Sequence, residues 1–315
     1  MSQIALSYII PAFNEEHHLP KLIESIKRHN PEPYAFEIIV ADHSSQDDTA
    51  KLAQGLNAQV VTSTGGTVAG LRNLAARHAQ GQVYIFLDAD IVLTDAWHDH
   101  FPETYELLSR QPATVTGSLC GIPDDASFIE RYWFAPMQAK TIRYINSGHL
   151  ITSRTLFERI DGFDARLQTG EDVDFSARAR TAGAMIVHNP QLRVIHNGYP
   201  STLSAFIRRE IWHGKGDCQA LKNILASRVA LAAMLFVLLH FVAIAGVLFT
   251  SDPVTAGTGL FGIVFVCLGS SIFKHKQRSL AGICVTSFLY YFYFSARAIS
   301  CIQTLLAPEP AKRQR

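Results

Sequence analysis

Val83-Tyr84-Ile85-Phe86-Leu87-Asp88-Ala89-Asp90 is a β-branched and aromatic apolar run that ends in two carboxylates one residue apart. A short continuous apolar run suits a strand buried on both faces of a parallel sheet. In such sheets ligands collect at the carboxyl ends of the strands, which is where Asp88 and Asp90 fall. Residues two apart on an extended chain point the same way, so both carboxylates can face one hard divalent cation. Taken alone, the Asp-Ala-Asp end reads equally as a strand that stops at a solvated acidic turn. The surrounding sequence has to decide.

Upstream, strands and helices alternate. Ile4 to Ile10 reads as a strand, Glu15 to Arg28 as a helix with Leu19, Leu22, Ile23 and Ile26 on one side, and Phe36 to Ala41 as a second buried strand. A polar loop, Asp42 to Asp48, precedes a helix from Thr49 to Leu56, a short strand Gln59 to Thr62, and a helix Ala69 to Ala79 opened by Gly65-Gly66. Downstream, Ala113 to Gly121 and Asn146 to Ser153 read as further strands, and Asp172 opens a helix through Ala179 with acidic residues in its first turn. The alternation specifies an α/β, doubly wound domain. Each polar cluster then falls at the carboxyl end of a strand: Pro11 to Glu15, Asp42, and Asp88 with Asp90. Such a pocket is acidic and accepts a phosphate ligand only with a metal between them. Arg72, near the start of its helix, offers a cation for a diphosphate, although an arginine taken alone is more often a surface ion-pair partner.

The last third of the chain changes character. Val229 to Thr250 and Val254 to Phe273 carry no charge and are long enough to cross a bilayer as a helical hairpin about the Ser251-Asp252-Pro253 turn. A third apolar stretch, Ser279 to Leu306, contains Tyr290 to Tyr293 and then Arg297, and fits either a third span or a helix lying in the interface. Arg208, Arg209, Lys215, Lys222 and Arg228 flank the first span, and Lys274-His275-Lys276-Gln277-Arg278 follows the second. Basic flanks resist translocation, so both are expected in the cytosol with Asp252 outside. Lys312, Arg313 and Arg315 favour that side too. Phe206, Ile207, Ile211 and Trp212, interleaved with Arg208, Arg209 and Lys215, read as an amphipathic helix at the membrane surface or, equally, as an ordinary packing helix. Ile4 to Ile10 lacks a basic lead-in, so the N-terminal domain is expected to stay cytosolic. The five cysteines show no paired spacing and are expected as reduced thiols. A formal net charge of +1 gives no electrostatic case for nucleic acid.

Several motifs together resemble the family 2 glycosyltransferases, inverting enzymes of the GT-A fold with its doubly wound mixed sheet. They are Ser7 to Glu16, Ile38 to Thr49, Arg72-Asn73, Phe86 to Asp90, Gly162-Phe163-Asp164, Gly170 to Asp174 and His196, spread over residues 3–200. Each is weak alone; their order and spacing are specific. By position, the resemblance implies that Pro11, Ala12 and Glu15 line the nucleotide site, that Asp42 pairs with the base and that Arg72 lies near the diphosphate. It further implies that Asp88 faces the ribose or the metal shell, that Asp90 binds Mg2+ or Mn2+ directly, and that Asp172 of the Glu171-Asp172 pair is the catalytic base. His196 would contact metal or diphosphate. Two departures stand out. His43 and Ser44 replace the usual Asp and Gly, and Arg208 to Gly214 does not match the Gln-x-x-Arg-Trp motif of the processive synthases.

The expected organisation is a catalytic domain over 1–203, an interfacial segment over 204–228, a membrane region over 229–306 and a basic tail over 307–315. The expected activity is transfer of one sugar from a nucleotide-sugar donor to a lipid-linked or cell-surface polysaccharide acceptor. It would take place at the inner or plasma membrane, with the multi-pass anchor keeping the catalytic domain cytosolic. Transfer onto polyprenyl phosphate is an alternative, although Ile91 to Thr94 lacks the Gln and paired Pro of those enzymes. A nucleotide-sensing membrane scaffold is an alternative of another class, and it has no use for a catalytic base.

Overall fold

The computed structural model describes residues 4–136, 143–214, 224–225, 227–249, 252–274 and 279–306. The chain divides into two compact units, one of Met1–Asp124 with Gln138–Tyr199 and one of Asp125–Met137 with Pro200–Arg315.

The first unit is built on a mixed sheet of seven strands in the order β3-β2-β1-β4-β7-β6-β8. These are β1 (Leu6–Ala12), β2 (Phe36–Asp42), β3 (Gln59–Thr62), β4 (Val83–Leu87), β6 (Thr114–Gly117), β7 (His149–Ser153) and β8 (Met185–His188). A separate antiparallel pair joins β5 (Ile91–Leu93) to β9 (Val194–His196). Strands β1 to β4 are parallel, β7 runs against both β4 and β6, and β6 is parallel to β8. The chain winds outward from β1 through β2 to β3, then returns to place β4 on the other side of β1. That reversal opens a crevice at the carboxyl ends of β1 and β4, the usual ligand position of an open α/β sheet. The quoted stretch is the carboxyl end of β4, and all five of its strand residues are buried.

Helices cover both faces: α1 (Leu19–His29), α2 (Thr49–Gly55), α3 (Val68–His78), α4 (Asp95–Arg110), α5 (Arg154–Arg159) and α6 (Glu171–Thr181). Two apolar clusters result, one around Tyr8, Ile10, Leu22, Ile85, Trp97 and Phe101, the other around Ile9, Phe86, Leu150, Phe157, Phe163 and Phe175. Alternate β1 and β4 residues feed opposite clusters, as a strand buried on both faces requires.

Some boundaries differ from the sequence reading. Helix α1 begins at Leu19 rather than Glu15, because Glu15 N–H is taken by Thr49 Oγ1 at 2.8 Å and Pro20 lies in the first turn. Strand β6 ends at Gly117, whose φ of +148° turns the chain where a Cβ would meet Ile145 and the His149 carbonyl. Strand β7 begins at His149 rather than Asn146, because the Asn146 side chain caps the Gly148 N–H at 2.7 Å and makes a turn.

The loops after β1 and β2 are knitted into one cradle. Asn14 N–H donates to Ser45 Oγ at 2.9 Å, Gln46 N–H to Asn14 Oδ1 at 2.8 Å, and Glu16 N–H to Asp47 Oδ2 at 3.2 Å. Asn14 and Ser44 both adopt φ of +55°. Left-handed backbone costs an L-residue about 1–2 kcal/mol, which explains a glycine preference at Ser44.

In the second unit, α7 (Leu203–Gly214), α8 (Arg228–Leu248), α9 (Pro253–Lys274) and α10 (Leu280–Leu306) pack with a π-helical turn at Glu130–Phe134. Trp133 meets Phe206, Tyr290 and Tyr293 at centroid distances of 4.9–5.2 Å. Among the described residues, Arg228–Leu248 and Pro253–Phe273 are long and apolar enough to cross a membrane, and each is only 22% buried. The third apolar stretch is a single helix of 27 residues. Helix α7 buries Phe206, Glu210 and Gly214 on one stripe and leaves Trp212 exposed. Cys120 and Cys267 are buried free thiols and Cys284 is an exposed one. The expectation of reduced thiols throughout is corrected at Cys301, which is disulfide-bonded. Residues 215–223 and 226 of the interfacial segment, the 250–251 turn, the 275–278 basic flank and the 307–315 tail lie outside the described residues.

The cradle's backbone makes a stability prediction. Ser44→Gly keeps the left-handed turn and loses the Ser44 hydroxyl bond to the Ser63 carbonyl (3.1 Å), so the two effects offset to within about 0.5 kcal/mol. Ser44→Val loses the same bond and adds β-branched strain, lowering stability by about 2 kcal/mol. Thermal unfolding followed by tryptophan fluorescence checks the contrast; equal Tm values for the two variants would refute it.

Candidate active site

Arg72 is the hub of the crevice. Its helix carries it under the carboxyl end of β4, where it is only 2% exposed. One terminal nitrogen donates to Asp88 Oδ1 at 2.5 Å and the other to Glu171 Oε1 at 2.9 Å, while Phe163 lies 5.7 Å below the guanidinium. Ser147 Oγ donates to the same Glu171 oxygen at 2.9 Å. The acidic loop after β4 and the acidic first turn of α6 are thus joined through one cation.

Asp172 follows on α6, 9% exposed. Burial, then the neighbouring Glu171 charge, push its carboxyl up to about 6, opposed by the Val173 amide and Arg72. Glu15 is raised too, mainly by burial; its ring partner His18, 2.9 Å away, opposes the shift, while Asp90 and Asp88 add to it. Asp42 is 3% exposed, and its carboxylate accepts from Ser45 Oγ at 2.5 Å and Ser45 N–H at 3.1 Å. Pro11 and Ala12 pair with Ala41 and Asp42, and Ala12 O accepts the His43 N–H at 2.9 Å.

Asp88, Asp90 and His196 bring ligand atoms within 4.8 Å of one another. Burial raises the Asp90 carboxyl, with His196 opposing and Asp88 reinforcing the shift. Asp90 Oδ1 is buried without a hydrogen-bond partner and lies 3.6 Å from His196 Nε2. An orphaned buried oxygen among two carboxylates and an imidazole fits a divalent cation of the Mg2+ or Mn2+ type. His196 Nδ1 accepts the Gly198 N–H at 3.1 Å, which puts the neutral ring's proton on Nε2. To ligate through Nε2, the ring has to change tautomer and give up that bond.

Residues 7–162 match the family model described as glycosyl transferase family 2. The chain belongs to glycosyltransferase family 2. It is 24% identical over 258 residues to glycosyltransferase AglE of Haloferax volcanii, covering 75% of this chain and 81% of that one. It is also 24% identical over 224 residues to the O-antigen biosynthesis protein RfbC of Myxococcus xanthus, covering 61% of this chain and 17% of RfbC. Mannosyltransferase PcManGT from Pyrobaculum calidifontis, solved in complex with GDP-Man and Mn2+, superposes with a TM-score of 0.55 at 16% identity, over 96% of this chain and 87% of that one. The fold is therefore GT-A, and the chain is a glycosyltransferase that uses nucleotide-sugar donors.

The transferase's crevice also contains residues around Ser118 and Asn146 to His149, where the sequence places donor choice but no motif assigns a contact. Asn146 to Gly148 lie against Asp88: its N–H donates to the Gly148 carbonyl at 3.2 Å, and a Cβ on Gly148 would come within 2.7 Å of Asp88 Oδ2. His149 is fully buried between Trp97 Nε1, which donates to Nε2 at 3.0 Å, and Ser118 Oγ, 2.9 Å from Nδ1. Trp97 can only donate, so Nε2 accepts and Nδ1–H donates to Ser118, which passes its own proton to the Leu192 carbonyl at 2.6 Å. Burial, reinforced by His188, lowers His149 to about 3, so this relay stays neutral. It ties α4, the end of β6 and the approach to β9, and so holds the strand that carries His196. Sequence signals existed only for the glycines, as His196-Asn197-Gly198 reads as a turn.

Gly198 supplies a test. A Cβ there would overlap Asp90 Oδ2. Gly198→Ala is expected to displace the Asp90 carboxylate and lower kcat/KM by at least about tenfold with little change in Tm, because the site lies at the crevice rim. Unchanged steady-state kinetics would show that the turn is free to move away.

Proposed function

We propose that this glycosyltransferase moves a single sugar, with inversion and metal assistance, from a nucleotide sugar to a lipid-linked or polysaccharide acceptor at a membrane. The observation that carries the reading is the convergence on one crevice of a cation-binding trio (Asp88, Asp90, His196) and a half-protected carboxylate, Asp172, linked through Arg72 and Glu171.

In this reading Pro11, Ala12, Glu15 and Asp42 line the nucleotide end, and Asp90, Asp88 and His196 hold Mg2+ or Mn2+. The ion, when bound, would neutralise the charge that develops on the departing diphosphate. Asp172 takes the proton of the acceptor hydroxyl while its oxygen attacks the anomeric carbon on the face opposite the diphosphate. The new C–O bond forms as the bond to the diphosphate breaks, and inversion follows from that geometry. Arg72 is held by two carboxylates, so its part is to fix Asp88 and Glu171 and to moderate the acidity of Asp172; it reaches a diphosphate only through Asp88 and the metal.

The membrane part of the reading rests on outward-facing apolar side chains. Leu231, Leu235, Leu238, Phe241 and Ile244 on α8 are all exposed at helical spacing, as are Phe261, Val264, Phe265 and Leu268 on α9. In water such faces would be a large association hazard; against lipid tails they are at home. Arg208 and Arg209 before the first such helix, and Arg228 at its first position, favour a cytosolic catalytic domain, where nucleotide sugars are made.

Asp172→Asn is expected to lower kcat by about 10²–10⁴-fold and leave donor affinity unchanged. Loss of donor binding in calorimetry would reassign Asp172 as a binding residue. A base works only when ionised, and the Asp172 carboxyl is pushed up to about 6. The rate of the chemical step should therefore fall about tenfold per pH unit below that value and be flat above it. A pH–rate profile of single turnovers that stays flat down to pH 4.5 would exclude Asp172 as the base. Asp90→Asn is expected to weaken Mn2+ binding by more than about tenfold, read by calorimetry with the metal alone. His196→Asn should weaken it less, since His196 must first change tautomer. Equal Mn2+ affinity in wild type and Asp90→Asn would overturn the metal assignment.

A further inference from the structure

We infer that Tyr199 is a positioning residue for the cation site: its ring holds the plane of the His196 imidazole, and metal affinity depends on it although it is not itself a ligand. The inference rests on the metal reading above and adds to it a side chain that no motif marks out.

Three contacts hold the His196 ring among the described residues. Its Nδ1 accepts the Gly198 N–H at 3.1 Å, and its Nε2 lies 3.6 Å from Asp90 Oδ1. The third is the Tyr199 ring, stacked face to face at a centroid distance of 4.1 Å with the two planes 11° apart. A tight turn at Asn197-Gly198 brings its first and fourth residues together, which is how a side chain three positions on comes to lie over the imidazole. Tyr199 is anchored at its far end, where the hydroxyl donates to the Cys120 carbonyl at 3.4 Å. The anchor belongs to the same wall as His196: Gly121 N–H donates to the Val194 carbonyl at 2.7 Å, and the Gly121 carbonyl accepts the His196 N–H at 3.0 Å. Burial, then the Asp88 and Asp90 charges, raise the Cys120 thiol, so this wall borders the trio.

The stack differs from the other two contacts in surviving ligation. Coordination through Nε2 uses its lone pair, so the ring proton moves to Nδ1 and the Gly198 N–H is no longer accepted. Asp90, in the same reading, turns to the cation. A face-to-face contact asks nothing of the ring nitrogens and resists tilting in either tautomer. An imidazole lone pair lies in the plane of its ring, so holding the plane holds the direction in which the lone pair points. Groups that orient a ligating imidazole from outside change metal affinity by about 10–100-fold when they are lost. Packing alone would show in stability and leave the cation indifferent.

Full-length protein in detergent, stripped of metal, is titrated calorimetrically with Mn2+ alone, and Tm is read on the same samples. Tyr199→Leu should weaken Mn2+ binding about threefold or more, but no more than His196→Asn does, because it acts only through that ring. Tyr199→Phe keeps the stacked face and should stay within about twofold of wild type. In a His196→Asn background, Tyr199→Leu should add less than about twofold, since two residues that act through one contact are not additive. Tyr199→Ile also lacks a ring face; it should repeat the loss and replaces Tyr199→Leu should that variant not fold. Unchanged Mn2+ affinity without the ring, or an equal loss with and without His196, would overturn the role of Tyr199 and leave the metal assignment standing. Failure of wild type to bind Mn2+ would overturn both.

Discussion

Everything at the crevice depends on a single buried cation among carboxylates. Arg72 faces Asp88 and Glu171 directly and is felt by Asp172, with almost no water to share the charge. Removing one member of a buried ion pair leaves an uncompensated charge, which costs about 3–5 kcal/mol. Here it would also let the acidic loop after β4 and the acidic turn of α6 repel one another across the crevice. In the proposed reading the arginine makes two jobs compatible in one pocket: an acidic side that would hold a cation, and a carboxylate, raised towards neutrality by burial and Glu171, that the arginine helps to keep ionised. Environments that set neighbouring carboxyls at different acidities are how acid and base roles are divided at one pH.

Close backbone approach fixes the distances. Strand β7, which runs against its neighbours in the seven-stranded sheet, brings the Asn146–Gly148 turn up against Asp88, and the Asn197-Gly198 turn leaves β9 directly over Asp90, whose carbonyl accepts the Asn197 N–H at 2.8 Å. Glycine at 148 and 198 lets two turns lie where a side chain would collide with the carboxylates. The neutral Trp97–His149–Ser118–Leu192 relay then sets the height of β9 relative to the sheet. Pre-organisation of this kind keeps charged groups from relaxing when a diphosphate arrives, which is where much of an electrostatic catalyst's effect originates.

The strand-and-helix alternation around residues 4–87 was legible because each strand is a continuous apolar run and each helix has its own periodicity. The Asp-Ala-Asp end of β4 was legible for the same reason, as an abrupt change from apolar to acidic. Strands β5, β8 and β9 were not, since three or four residues carry no measurable period and they form only through partners distant in sequence. Helix α4 went unread although Thr94 caps it and Trp97, Phe101 and Leu108 mark its buried side. The Pro102 within it weakens a helical reading. Within the site, residue types pointed to Asp88 with Asp90, and the family resemblance to His196 and the Glu171-Asp172 pair, but neither said what Arg72 holds. An arginine in a helix says nothing about two carboxylates that reach it from 16 and 99 positions away.

The second unit shows why charge in an apolar stretch was ambiguous from sequence. Arg297 interrupts the third apolar helix, and its guanidinium is 2.8 Å from Glu210 Oε2 and 4.9 Å from the Tyr293 ring. Glu210 also accepts from Arg209 at 2.7 Å, and Arg209 in turn lies over Phe134 at 4.9 Å. The glutamate is 3% exposed, so the cluster is desolvated by protein before any lipid is considered. A hydropathy average along α10 charges the arginine with the full penalty of an isolated ion, whereas here the opposite charge is already supplied by α7. The two elements then stand or fall together: neither the glutamate nor the arginine tolerates apolar surroundings without the other. The charge that left the third apolar stretch open between a span and an interfacial helix is thus better read as the contact that binds α7 to α10.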